Sequence, residues 1–290
     1  MIDRTLLISP HPDDISMSAF GIVTNRLIPG EMFLLTVFSW SDYIALNRGA
    51  LYDLRTILNY PPRPLEFIDS VKRYAGRFGT NPISILEKLF GLRQPDRVSR
   101  IRQLEDLAFS RKTRMRYGHL DFRDCKLRHG RPIIDTSWPL EKDLETLNRL
   151  VLALNGTVSR LNVQVMVAPW PFGARQHLDH RLVNAAAASV AEGTGVKLLY
   201  LDDQPYSRRP LVAMKDSRGQ MYAPRLLGLS PSEMKRKSDA MKIYRSQMVP
   251  EYFQAVRRTP PGSAGNSYSE TLWEPSRGAS QSADARMVGY

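Results

Sequence analysis

Thr5-Leu6-Leu7-Ile8-Ser9-Pro10-His11-Pro12-Asp13-Asp14 is the stretch whose reading decides the fold. A short apolar run of strand length stops at a proline and passes straight into a histidine and two aspartates, the pattern of a buried strand that delivers polar groups at its carboxyl end. Downstream, Ile15, Ala19, Ile22 and Val23 recur at helical spacing, so 14–27 reads as one helix, closed by the turn pair Pro29-Gly30. A second buried strand follows at 33–38. Strand, helix and strand in this order predict a right-handed parallel unit with His11 and Ser39 on one rim.

The pattern continues outward. Helices are predicted over 98–115, 140–161, 181–190 and 232–247, with strands at 163–168 and 196–201, and short extended pieces at Leu120, Phe122 and Ile133 to Ile134. Between them, 45–97 is interrupted by Pro61, Pro62, Pro64, Pro82 and Pro95 and reads as a lid or insertion. Residues 1–256 make one α/β catalytic domain, and 257–290 a Pro/Gly/Ser-rich tail, partly disordered, with a short anchor near 268–273.

Composition narrows the chemistry. The 290 residues hold 42% hydrophobic and 24% charged side chains, ordinary for a globular domain, and no apolar run approaches membrane-helix length. The N-terminal apolar run is too short for a signal peptide, so a cytoplasmic enzyme is expected. One cysteine, Cys125, excludes an internal disulfide and any Cys-rich zinc finger, leaving histidines and carboxylates as metal ligands. The net charge of +12 is spread along the chain and comes with no nucleic-acid-binding motif, which points to a solvated basic surface or to an anionic substrate.

Five histidines are present, and three fall in two clusters that each follow a predicted strand: His11-Pro12-Asp13-Asp14 and His177-Leu178-Asp179-His180. On one rim of a parallel sheet, a single metal can collect ligands from both. Two histidines and one carboxylate suffice for a catalytic zinc that keeps a position for water. Hydrolysis then requires a carboxylate outside the ligand set as general base, the place for Asp13 if Asp14 is bound. It also needs a group that meets the oxyanion and later protonates the leaving amine. His177 is placed for this as a cation, with Asp179 as an orienting partner.

These two motifs resemble the PIG-L/LmbE family of zinc-dependent deacetylases, whose members act on N-acetylglucosamine-type substrates. That family carries Ser-Pro-His-Pro-Asp-Asp after a strand, matched by Ser9 to Asp14, and His-x-Asp-His-Arg, matched by His177 to Arg181. The likeness extends to Val37 through Tyr43, to the helix Ile101-Arg102-Gln103-Leu104-Glu105-Asp106, to the loop Leu120 through Arg128, and to Tyr244-Arg245-Ser246-Gln247 and Glu270-Thr271-Leu272-Trp273. The resemblance implies a Rossmann-like three-layer α/β/α fold with a mostly parallel central sheet. It also implies one Zn2+ on His11, Asp14 and His180, Asp13 as base, His177 as electrostatic and acid group, and Arg102, Asp124 and Arg128 toward the sugar. The two-histidine, one-carboxylate set also suits other divalent metals.

Two features depart from the family. Ile15 stands where many relatives have an acid, and the 45–97 segment is long. The expected activity is removal of an N-acetyl group from an amino sugar, with a small-molecule partner, neutral or anionic, and homo-oligomerisation left open. Its competitors are a zinc amidase on a non-sugar amide or thiol conjugate, and a basic nucleic-acid-binding protein on an inactive fold.

Overall fold

A computed structural model describes residues 3–28, 30–42, 95–133, 137–170, 177–204, 213–216, 218–248, 250–256 and 268–276. Eight strands make one sheet in the order β3-β2-β1-β4-β5-β8-β7-β6. The first five are β1 (Arg4–Ser9), β2 (Glu31–Thr36), β3 (Arg116–His119), β4 (Val165–Pro169) and β5 (Lys197–Leu201), and every pairing among them is parallel. The other three are β6 (Met214–Lys215), β7 (Met221–Leu229) and β8 (Tyr268–Pro275), which join antiparallel beyond β5.

Helices flank this sheet: α1 (Asp14–Ser18), α2 (Phe20–Thr24), α3 (Pro95–Thr113), α4 (Cys125–His129), a 3-10 turn at Leu140–Asp143, α5 (Leu144–Leu161), α6 (Leu178–Thr194), α7 (Pro231–Met241) and α8 (Pro250–Ala255). Two apolar clusters divide the interior by sheet face. Leu6, Ile8, Met166 and Ala168 pack toward α5 and α6, while Leu7, Leu34, Val167 and Leu199 pack toward α1, α2 and α7. Alternate residues of β1 and β4 thus serve opposite layers, as period-two side-chain geometry requires. The three-layer, mostly parallel expectation holds.

Several elements differ from the sequence reading. The single helix expected over 14–27 is two short helices, broken at Ala19, whose φ of −142° leaves the helical region. On α5, Leu144 is 49% exposed, and the buried stripe runs through Leu150, Leu154 and Val158. The helix expected to reach 247 ends at Met241 in successive turns. Strands β3 and β7 were not anticipated, and the anchor expected at 268–273 is a full strand paired along β7. The 45–97 segment, apart from the start of α3, lies outside the described residues, as do 257–267 and 277–290.

The strand order reverses between β1 and β4. β1 continues to β2 on one side, β4 to β5 on the other, so the loops leaving their carboxyl ends diverge and open a crevice. His11 leaves β1 and His177 precedes α6 after β4, so both motifs come to this crevice.

Candidate metal and catalytic site

Three ligand-type atoms face one another at the crevice. His11 Nδ1 lies 3.2 Å from His180 Nε2, and Asp14 Oδ2 lies 3.7 Å from the first and 3.5 Å from the second. An ion bonded at about 2.0–2.2 Å to three corners of a tetrahedron sets those corners about 3.3–3.6 Å apart. The observed triangle fits that face. His11, Asp14 and His180 are thus a set that can hold one metal ion.

Local structure holds each corner. Asp14 Oδ2 accepts the His11 backbone N–H at 2.7 Å, which folds the Pro12-containing turn back on itself. His11 presents Nδ1 because its Nε2 is engaged by Asp179 Oδ2 at 2.8 Å. Asp179 is wholly buried and also accepts from the Cys125 backbone N–H at 2.9 Å and from Arg128 Nη2 at 2.8 Å. His180 presents Nε2 because its Nδ1 meets Asp203 Oδ2 at 2.8 Å. Each histidine thus has a buried carboxylate at the ring nitrogen that faces away from the triangle.

The electrostatics are those of a pocket short of positive charge. Burial drives the His11 ring down to about 3, so its lone pair is available at neutral pH. Burial acts the same way on His180, but Asp203 and Asp14 outweigh it and raise this ring to about 10. Burial lifts Asp14 to about 6, and lifts Asp13 well above the carboxylate range with help from the Asp14 charge beside it. Asp179 is held below its usual range: burial opposes this, but the His11 hydrogen bond and the Arg128 charge prevail. A dication among these groups replaces protons that the cluster otherwise attracts.

Asp13 caps α1 with φ +95°, left-handed backbone that a non-glycine residue adopts at a cost of about 1–3 kcal/mol. Its carbonyl accepts from Ser16 Oγ at 2.7 Å and Met17 N at 3.2 Å, which secures the strained turn. His177, expected to be cationic, is instead pushed down to about 4 by burial. Its Nδ1 accepts the Asp179 N–H as the cap of α6, leaving Nε2 as the protonated nitrogen of a neutral ring, 3.4 Å from Cys125 Sγ. The His177 and His11 rings meet edge to face with centroids 4.8 Å apart.

The three residues expected toward a sugar separate here. Arg102 is buried on α3, and its Nε has no hydrogen-bond partner among the described residues; its charge bears on Asp13, Asp14, Asp106 and Asp124. Asp124 accepts the Leu127 N–H at 2.9 Å and so serves as the N-cap of α4. Arg128 is engaged by Asp179 and, through Nε, by Asp143 at 3.1 Å, behind the metal triangle. Two contacts tie α3 to the stretch after α7: Glu105 accepts Ser246 N at 2.8 Å, and Asp106 accepts the Tyr244 hydroxyl at 2.8 Å. Asp203 was missed by sequence reasoning. The signal available was its position, two residues past a predicted strand bordering the one that carries the second motif.

Fold and site define the class: a Rossmann-like α/β protein with its polar centre at the sheet's switch point, whose two motifs resemble those of the PIG-L/LmbE deacetylases. No protein-family model matches the chain. It is 25% identical over 296 residues to a 2'-N-acetylparomamine deacetylase of Streptomyces fradiae, covering 94% of this chain and 90% of that one. A teicoplanin deacetylase solved in a zinc-inhibited form aligns at TM-score 0.60 and 19% identity, over 96% of this chain and 100% of that one. An antimicrobial-reagent pseudoaglycone deacetylase aligns at TM-score 0.55 and 21% identity, over 97% and 100%. Among the described residues, no helix is long and apolar enough to cross a membrane.

Proposed function

We propose that the chain is a zinc-dependent hydrolase that removes the N-acetyl group from an amino sugar or an amino-sugar-containing metabolite. The observation that carries this reading is the His11, Asp14 and His180 triangle with Asp13 beside it, a donor set of two imidazoles and one carboxylate. The deacetylase named for an acetylated paromamine supports the substrate class. Zinc in that triangle supplies Lewis acidity for the amide carbonyl and for water.

The protein's own groups do the rest. Asp13, whose basicity is raised by burial and by the Asp14 charge beside it, takes a proton from the attacking water. His177 offers Nε2–H to the oxyanion as a neutral donor, because its ring is unprotonated until negative charge develops beside it. The proton held by Asp13 then passes to the departing amine. Arg102 Nε has no hydrogen-bond partner among the described residues, and we assign Arg102 to a substrate hydroxyl or anionic group. A cytoplasmic location and a small-molecule partner complete the proposal.

The test is amine release from N-acetylated aminoglycoside precursors, N-acetylglucosamine conjugates and non-sugar amides, with and without chelator. Chelator-sensitive release from the sugars supports the reading. Release from non-sugar amides alone moves the assignment to an amidase, and steeply salt-dependent nucleic-acid binding without hydrolysis overturns the enzyme. His11→Ala or His180→Ala with full zinc content and full activity would remove the ligand assignment.

A further inference from the structure

We infer that Asp203 is a positioning residue for the metal site, fixing the ring direction of His180 and which of its nitrogens faces the metal. The inference rests on the metal reading of the triangle and extends it by one residue.

Asp203 Oδ2 stands 2.8 Å from His180 Nδ1, and both side chains are almost fully buried, at 7% and 2% exposure. A neutral imidazole has one N–H, and a carboxylate can only accept, so Asp203 places that proton on Nδ1 and turns the Nε2 lone pair toward His11 and Asp14. The arrangement mirrors the other ligand, where Asp179 takes Nε2–H of His11 and leaves Nδ1 to the metal.

The loop that carries Asp203 is tied on both sides. Asp202 N–H donates to the Thr271 carbonyl of β8 at 3.2 Å. Gln204 N–H donates to Ser18 Oγ of α1 at 3.2 Å, and Gln204 Nε2 to the Ser269 carbonyl at 3.2 Å. Lys237 Nζ reaches Gln204 Oε1 at 3.4 Å. Asp203 is thus pinned to the same helix that carries Asp14, so two ligands of the triangle share one frame.

The experiment measures zinc affinity by chelator competition for the wild type, Asp203→Asn and Asp203→Ala, alongside far-UV circular dichroism and the Tm of the metal-free proteins. Losing an outer partner of a ligand histidine typically weakens metal binding about 10–100-fold. Asn keeps an acceptor but not the charge, so Asp203→Asn should lose about tenfold and Asp203→Ala up to about a hundredfold. A purely structural role would lower the metal-free Tm and leave affinity unchanged. Either folded variant binding zinc as tightly as the wild type overturns the assignment, so Asp203→Asn decides if Asp203→Ala does not fold. A wild type that binds no zinc fails the metal reading itself, a result distinct from an insensitive variant.

Discussion

Two buried clusters of charge touch α1 and α2, one through Asp14 and the other through the Ile22 N–H, and they are built to opposite ends. At one, Lys237 and Glu270, both 0% exposed, form a closed ion pair with Nζ 2.8 Å from Oε1, while Oε2 takes the Ile22 N–H of α2 at 2.9 Å. At the other, four buried aspartates, 13, 14, 179 and 203, surround His11 and His180, with Arg128 answering Asp179. The first cluster meets its own charge and leaves no demand for a ligand. The second is short of positive charge, and that shortage is its capacity for chemistry. Complete pairing marks structure here, and incomplete pairing marks function.

The sharpest way to break this contrast is Asp13→Asn. Turnover should fall by about 10²–10⁴ with zinc content and Tm retained; unchanged turnover removes Asp13 as the base. Next comes Glu270→Gln, which strands a buried lysine. A loss of about 3–5 kcal/mol in urea unfolding is expected with zinc affinity unchanged, and a variant that keeps its stability but loses zinc would dissolve the distinction.

An intermediate case is Asp106, a buried acid that accepts from Thr36 Oγ1 at 2.6 Å and from the Tyr244 hydroxyl, with the Arg102 charge acting on it. Burial raises it from 3.8 to about 6, the two hydroxyls opposing. Its folded-state value is raised, so its contribution is full below the unfolded value and is lost as pH climbs through about 6. Asp106→Asn should flatten that limb of stability against pH, a change on the order of 2 kcal/mol read by unfolding at pH 4 and pH 7. The smallest effect belongs to Gly21→Ala. A Cβ there would lie 2.4 Å from Leu229 Cδ2 and 3.2 Å from Glu270 Oε2, so it presses on the closed pair through side-chain tips that can yield. A cost of roughly 1–2 kcal/mol with normal turnover is expected; a larger loss of turnover than of stability would tie the pair to the site.

Legibility in the sequence followed locality. β1, β2, β4 and β5 are unbroken apolar runs buried on both faces, and the two motifs each place their polar residues within four positions, so they were readable. β7 hid because Pro224 and Gly228 argue against a strand, and β3 because Arg116-Tyr117-Gly118-His119 is short, polar and half exposed. The break at Ala19 left no mark, since the residues on either side keep helical spacing. Asp203, Arg128 and Cys125 act through partners 23, 51 and 54 positions away, and residue type alone does not announce such pairings. The state of His177 depended on burial, which pattern cannot weigh.

His11 and His180 stand 169 positions apart, and the strands behind them, β1 and β4, touch along one short parallel seam. An ion gripped by both rings is therefore a cross-link across more than half the polypeptide. By mass action, ion at about a thousand times its Kd adds about 4 kcal/mol to the free energy of unfolding. On the metal reading proposed above, the supply of ion sets how long the folded chain survives proteolysis as well as how fast it turns over, so a chelator is expected to speed proteolysis as it stops amine release.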